Sequence, residues 1–356
     1  MEVGSTIKIV MLIMGMTMVF VSVWLLAVKR MTADFVVIWE MIGIILIVIG
    51  IFPGLTAWMD ASVMFGVTAG LWTCFFLSMF LSHLFMRNHE LAIETSMLLQ
   101  DGDREDSGKD LLIILPVKNE EKNIGVVLDQ LVKSEIGASA DILCINDASH
   151  DATEEIISQY PCTQITNIFE LGYGSSLQLG YKYAVRKKYK YVIQMDADGQ
   201  HDVCNIRYIY EKMHEKGADG REPDIVLASR FMEGSSEFPV SFCKKMAFSI
   251  FRFMIWMGTG QKIADPTTGL QGLSREAFMY YAQYANFDYQ YPDANMVLQM
   301  LLLRFRLVEI PAVMHSRKEG KSMHAGIEPL WYMPRMFFSM MAILFRVRIM
   351  RQDRTR

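Results

Sequence analysis

Two carboxylates stand two residues apart in the stretch Gln194-Met195-Asp196-Ala197-Asp198-Gly199-Gln200-His201-Asp202, directly after the apolar run Tyr191-Val192-Ile193. An apolar run this short, followed by Asp and Gly, reads as a buried strand that emerges into a loop, so the carboxylates fall at its carboxyl end. In open α/β sheets that edge is where ligands collect. Paired carboxylates with a neutral oxygen donor at Gln200 suit a hard divalent cation that keeps coordination positions for phosphate oxygens. The chemistry indicated is a metal and nucleotide site, and the plain alternative is a solvated acidic turn.

The elements that must carry this loop are legible on either side of it. Leu111–Leu115, closed by Pro116, reads as a strand, as do Asp141–Ile145, Ile165–Phe169 and Asp224–Ser229. Helical patterns lie between them, after the polar Lys118 to Glu121 and on to Lys133, then at Asp151–Gln159, Gly174–Lys187 and Asn205–Lys216. Short apolar strands alternating with amphipathic helices predict an α/β fold: a mostly parallel, Rossmann-like sheet covered on both faces, with the polar strand-end residues gathered along one rim. Asn119, Asp147, Asp196 and Asp198 are expected there. Beyond residue 230 the pattern gives a helix at Ser241–Met257, a strand-like Leu270–Leu273, helices at Arg275–Gln283 and Asp293–Leu303, and a strand through Val308–Ile310. Ser241–Met257 is rich in Phe, Met, Ile and Trp with Lys244, Lys245 and Arg252 interspersed, which fits either a helix at a membrane surface or a buried core helix.

Composition places this domain in a membrane protein. Hydrophobic residues make up 52% of the 356, above the usual share for a soluble chain, and they concentrate before about residue 87. Ile7–Val28, Phe35–Ile51 and Ser62–Met86 are each near the length that crosses a bilayer. Lys29, Arg30 and Arg87 fall on one side of three crossings, and the positive-inside tendency makes that side the cytoplasm. The expected organisation is a three-helix all-α transmembrane domain over 1–87, an amphipathic segment and charged linker over 88–110, a catalytic domain over 111–325, and a membrane-interfacial helix with a basic tail over 326–356. A net charge of −4 argues against a nucleic-acid partner. Five scattered cysteines suit free thiols in a reducing compartment.

Seven motifs occur in order: Pro116 to Glu120, Asn146 to Asp151, Gly172-Tyr173-Gly174 with Gly180, Asp196 to His201, Ala228-Ser229-Arg230, Asp265-Pro266-Thr267-Thr268-Gly269, and Arg317 to Ser322. In this order they resemble the inverting glycosyltransferases of family 2 with the GT-A fold, and within them the dolichyl- and polyprenyl-phosphate sugar transferases. The likeness spans about residues 111 to 325. The first hundred residues resemble, more loosely and through Trp39 and Pro53-Gly54, a family of small three-helix membrane proteins of unknown function.

The resemblance implies a plasma-membrane, multi-pass enzyme with a cytoplasmic catalytic domain. It would take one sugar from a nucleotide-diphosphate donor to a polyprenyl-phosphate acceptor with the help of Mg2+ or Mn2+. It gives Asp196, Asp198 and Gln200 as metal ligands, and Pro116, Asn119, Glu120, Asp147, Gly172, Asp196, Arg317 and Lys321 as the nucleotide-sugar site. Arg230 and Arg317 would meet phosphates, since a guanidinium grips two oxygens at once. Asp265, with Asp198 and Arg230, is a catalytic candidate, as an acid–base residue or as an orienting carboxylate. Asp293 is a second acidic candidate, with helix capping as its plainer role. Asn146 stands where some relatives carry an Asp, and Asn119 and Glu120 also suit simple turn chemistry. No Gln-x-x-Arg-Trp motif is present, which favours single transfer over polymerisation. The alternative acceptor is a lipid-linked saccharide in cell-surface polysaccharide synthesis. For the spans, homo-oligomerisation, lipid binding and simple tethering are all open.

Two other classes compete. Gly172-x-Gly174 opens a helix and the next strand ends in an acid, which approaches a dinucleotide-binding fingerprint, but Leu177 replaces its third glycine. An inactive membrane scaffold is the third class, and intact Asp196, Asp198, Arg230 and Asp265 speak against it.

Overall fold

The computed structural model describes residues 2–52, 60–100, 107–235, 242–284, 286–315 and 328–349. The three apolar runs are helices, α1 (Glu2–Ala27), α2 (Ala33–Ile51) and α3 (Ala61–Gln100), and each is long and apolar enough to cross a membrane. Seven strands follow in one sheet: β1 (Leu111–Val117), β2 (Ala140–Asn146), β3 (Thr163–Thr166), β4 (Tyr191–Gln194), β5 (Ile225–Ser229), β6 (Gln271–Ser274) and β7 (Leu307–Pro311). Between them run α4 (Ile124–Lys133), α5 (Glu135–Ser139), α6 (Thr153–Ile157), α7 (Tyr173–Arg186), α8 (Cys204–Met213), α9 (Phe242–Thr259), α10 (Arg275–Ala282) and α11 (Ala294–Leu302), and α12 (Glu328–Ile349) comes last.

Chain contacts divide the molecule into two units, one of residues 1–88 with 326–352 and one of 89–325 with the last four residues. In the first unit α1 and α2 approach so closely that a Cβ on Gly15 would lie 2.6 Å from the Gly43 carbonyl oxygen. Glycine at both positions lets the two backbones meet, which is how apolar helices gain contact where no water drives them together. Two buried polar pairs lie inside this unit. Ser22 Oγ donates to Glu40 Oε1 at 2.7 Å, and Trp39 Nε1 donates to Ser78 Oγ at 2.8 Å. Helix α12 packs against α1 and α2, and its buried Arg335 places Nε 3.1 Å from Asp34 Oδ1, which also accepts from Trp331 Nε1 at 3.1 Å. The basic tail beyond residue 349 lies outside the described residues.

In the second unit the strand order is β3-β2-β1-β4-β6-β5-β7. β1 is parallel to β2 and β4, β2 to β3, and β5 to β7, whereas β6 alone runs antiparallel to both neighbours. The sheet is therefore mixed and mostly parallel, as the alternation predicts. β1 is buried at every position, the signature of a central strand covered on both faces. It continues through Pro116 to Val117, past the expected stop, because β4 pairs with β1 only as far as Ile114, so the missing proline N–H leaves no ladder bond unmade on that side. β3 lies earlier than expected, pairing Leu143 with Thr163 through Asn146 with Thr166. The chain turns off at Asn167, whose side-chain amide donates to Asp147 Oδ1 at 2.8 Å.

The segment 88–100, expected as a separate amphipathic piece, is the end of α3, and from His89 onward it belongs to the second unit. Lys182 of α7 pairs with both Glu90 and Glu94, and His89 Nδ1 lies 3.1 Å from Ser175 Oγ with its ring 5.2 Å from that of Tyr289.

Candidate active site

β4 ends at Gln194, and Asp196 and Asp198 follow at the carboxyl edge, where the strand pattern puts them. Gly199 sits at φ +75°, a backbone region that glycine enters without strain, and lets the chain turn back. Asp198 Oδ1 accepts from the Gln200 N–H at 3.0 Å, and the Gln200 carbonyl accepts from the His315 N–H at 2.7 Å. Asp196 is gripped from two sides: Tyr173 Oη donates to Oδ1 at 2.8 Å, and His201 Nε2 lies 3.4 Å from Oδ2. Burial works against its ionisation, but His201, the Tyr173 hydroxyl and the charge of Arg230 outweigh it and hold the carboxyl below its ordinary range. Behind it stands Gly269, where a Cβ would fall 2.4 Å from Asp196 Oδ2. Only glycine leaves the carboxylate its place.

Among the described residues no three His, Cys, Asp or Glu side chains converge as a complete metal cage. Asp196 and Asp198 with the amide of Gln200 make a partial set of hard oxygen donors, and the space kept open at Gly269 preserves it. Such a set fits a divalent cation that draws its remaining ligands from phosphate and water.

The end of β5 brings in the second charged group. Arg230 follows Ser229, and its guanidinium grips Asp265 in a fork: Nε donates to Oδ2 at 2.7 Å and Nη2 to Oδ1 at 2.8 Å, while the Arg230 backbone N–H donates to Oδ2 at 2.9 Å. Arg230 Nη2 also donates to the Thr267 carbonyl at 3.0 Å and to its hydroxyl at 2.8 Å. Asp265 is wholly buried, and its own backbone N–H donates to Glu309 Oε1 of β7 at 2.8 Å. Burial opposes the charge on Asp265, yet the Arg230 hydrogen bonds and charge keep its carboxyl below the usual range. What Asp265 touches is Arg230 and Thr267, the geometry of a carboxylate that orients a cation.

At the other half of the rim, Asp147 follows β2 and is almost fully buried. Its Oδ1 accepts from Asn167 Nδ2 and the Leu171 N–H, and its Oδ2 from the Gly172 N–H, all at 2.8 Å. Gly172, at φ +93°, starts α7 directly against this carboxylate. Pro116 lies buried in β1 opposite Ile145. Asn119 and Glu120 knit the loops after β1 and β2 together: Asn119 Oδ1 accepts from the His150 N–H at 2.9 Å, and the Glu120 N–H donates to Thr153 Oγ1 at 2.9 Å. Asn146 Oδ1 accepts from the Ser149 N–H in the same turn at 3.1 Å. Arg317 and Lys321 lie outside the described residues.

Tyr173, His201 and Gly269 hold Asp196, and none is marked in the sequence as a site residue: Tyr173 and Gly269 meet a partner distant along the chain, and His201 reaches Asp196 only once the loop has turned back. A faint signal exists for Tyr173, whose place between Gly172 and Gly174 at the first turn of α7 aims it toward the strand ends. Asp293 occupies the N-cap position of α11, but its side chain makes no capping hydrogen bond there, which corrects the capping expectation. Its charge bears instead on Tyr173 and Arg230.

Residues 112–281 match the family model described as glycosyl transferase family 2. An uncharacterized protein of Methanocaldococcus jannaschii is 28% identical over 182 residues, 51% of this chain and 72% of that one. Glucosyl-3-phosphoglycerate synthase from Mycobacterium tuberculosis in complex with phosphoglyceric acid superposes with a TM-score of 0.50 at 14% identity, over 71% of this chain and 81% of that one. The same enzyme in complex with Mn2+, UDP-glucose and phosphoglyceric acid gives 0.50 at 12% identity, over 71% and 82%. At these identities the likeness to the solved structures is one of fold.

Proposed function

We propose that this chain, a glycosyltransferase with a family-2 domain of GT-A fold, transfers one sugar from a nucleotide-diphosphate donor to a polyprenyl phosphate at the cytosolic face of the membrane, with inversion at the anomeric carbon. The observation that carries this reading is the division of charge along one rim. Asp196, part of whose side chain is accessible, and Asp198 follow β4 at the edge where Asp265 locks the Arg230 guanidinium in place. Such a rim can seat a diphosphate and receive a second phosphate, while three helices of spanning length supply the membrane.

In this reading Asp196, Asp198 and Gln200 hold the divalent ion, which the Mycobacterium enzyme also carries beside UDP-glucose as Mn2+. When bound, that ion neutralises charge on the departing diphosphate as a Lewis acid. An acceptor phosphate oxygen attacks the anomeric carbon from the opposite face, the bond from that carbon to the diphosphate breaks, and the nucleoside diphosphate leaves with the electron pair. A phosphate monoester is already ionised near neutral pH, so the site needs to position it more than deprotonate it. Arg230, aimed by Asp265 and Thr267, is the positioning cation, and Asp147 with Gly172 shapes the nucleotide end. Arg317 and Lys321, which lie outside the described residues, would add phosphate contacts in this reading.

A lipid-linked saccharide is the second reading for the acceptor. Asp293 favours it, since a hydroxyl nucleophile needs a base and this carboxylate's charge bears on Tyr173 and Arg230. Radiolabelled donor supplied to the purified chain with polyprenyl phosphate and Mg2+ or Mn2+ separates the two. An alkali-stable, mild-acid-labile labelled lipid supports the first, and label that enters only when a glycan primer is added supports the second. Asp198→Ala should lower transfer by about 100- to 1000-fold, the usual cost of removing one transition-state charge stabiliser. Wild-type turnover in that variant removes the metal assignment.

A further inference from the structure

Helix α9 has two unlike faces. Ala247, Phe251, Met254 and Ile255 are buried in the domain. Met246, Ile250, Phe253, Trp256 and Met257, at spacings of three and four residues along the opposite side, are each 37% to 56% exposed. A row of five large apolar side chains on one helix face is far from the scattered exposure that a soluble surface tolerates. The helix carries three basic residues and no acidic one, and Lys245 near its start and Lys262 just past its end are both exposed. An apolar stripe with basic groups at its margins is the composition of a helix that lies in the interface of an anionic bilayer, with Trp and Lys at headgroup level.

The inner flank of α9 leads to the site. Arg252 stacks over the Phe231 ring at 5.1 Å, and the Arg230 guanidinium lies 5.5 Å from that same ring and 5.9 Å from Phe248 of α9. Arg252 Nε is buried and makes no hydrogen bond among the described residues.

We propose that the outer face of α9 docks on an anionic lipid monolayer, which makes this helix the surface through which the catalytic domain meets the bilayer. The tether makes the proposal economical. Helices of spanning length in the same chain hold the domain at high effective concentration beside the membrane, so weak insertion suffices. The proposal rests on the membrane part of the functional reading above and not on the choice of acceptor.

The test uses the full chain in nanodiscs of phosphatidylcholine with phosphatidylglycerol that include a photoactivatable phospholipid. Lipid adducts mapped to the peptide 242–262, concentrated at Phe253 and Trp256, are the expected result. No adduct in that peptide, or protein-to-protein cross-links from it to a second copy in place of lipid adducts, overturns the proposal. The double variant Phe253→Glu, Trp256→Glu should lose the adducts and lower the rate on bilayer-embedded polyprenyl phosphate by roughly tenfold, with the Kd for nucleotide sugar unchanged. Phe253→Leu, Trp256→Leu controls for folding and should retain both adducts and rate. Adducts that persist in the Glu variant also overturn the proposal. If lipid adducts form but no sugar reaches the lipid phosphate, the acceptor assignment fails and the docking surface stands.

Discussion

Asp196 and Asp265 stand at the same edge of one sheet and are used in opposite ways. Asp265 is wholly buried, and both of its oxygens are committed to Arg230 and Thr267. Asp196 keeps about a quarter of its side chain accessible, at 28%, and is held by one hydroxyl and a histidine at 3.4 Å. The contrast teaches that a carboxylate's neighbours, more than its sequence context, decide whether it can meet a substrate ion. Saturated by a guanidinium, it becomes part of the frame; held by a hydroxyl and a histidine with part of its surface still accessible, it stays available to a cation.

Three experiments would break or sharpen that contrast, from the largest effect down. Asp265→Asn leaves the mostly buried Arg230 without its counter-charge and should cost about 3 to 5 kcal/mol, the range for breaking a buried ion pair. A lower melting temperature and faster amide exchange in β5 and β6 would register it. The same pair predicts a pH dependence. The folded carboxyl ionises below its free value, so the unfolded chain binds more protons on acidification, and the stabilisation is present above about pH 4 and lost as pH falls through the depressed folded value. The Asn variant should lack that acid limb. If it matches wild type in melting temperature and acid profile, Asp265 is no frame.

Gly269→Ala probes the other carboxylate. A Cβ 2.4 Å from Asp196 Oδ2 must displace it, at a cost of about 1 to 3 kcal/mol for overpacking, and should slow transfer by about 100-fold with weaker Mn2+ binding by paramagnetic titration. Unchanged Mn2+ affinity would count against Asp196 as a ligand. Smallest is Lys182→Ala, which frees Glu90 and Glu94 at the end of α3. A partly exposed pair of this kind is worth no more than about 1 kcal/mol, so local exchange in residues 89–100 should rise while transfer chemistry stays at wild-type rate.

Much of this architecture was written locally. The three helices of spanning length announce themselves by long apolar runs, and α2 ends at the expected Ile51. β1, β2, β4 and β5 follow from short apolar segments closed by polar residues, whereas β3 lies ahead of its apolar mark, and the rim placement of Asp196 and Asp198 follows from strand polarity alone. What stayed hidden depends on pairings between distant residues. The antiparallel course of β6 has no local mark, yet it brings the loop before Gln271 to the rim. The continuation of α3 past Asn88 reads as a break because the pattern turns amphipathic there, whereas Lys182, nearly ninety residues on, anchors it. Likewise the hydrogen bond from Tyr173 to Asp196 joins the start of a helix to the end of the next strand, and no window along the chain contains its reason.

The clasp between Arg230 and Asp265 has a further consequence. Arg230 is where the chain departs from the sheet edge after β5, and Asp265 is where it comes back ahead of β6, so the fork closes the neck of the whole excursion that bears α9. A change beyond that neck must keep the buried inner side of α9, with Ala247, Phe251, Met254 and Ile255, and close on the same fork if β5 and β6 are to stay in register. Grafting a different excursion between these two residues would test whether this part of the chain sets which acceptor the enzyme takes.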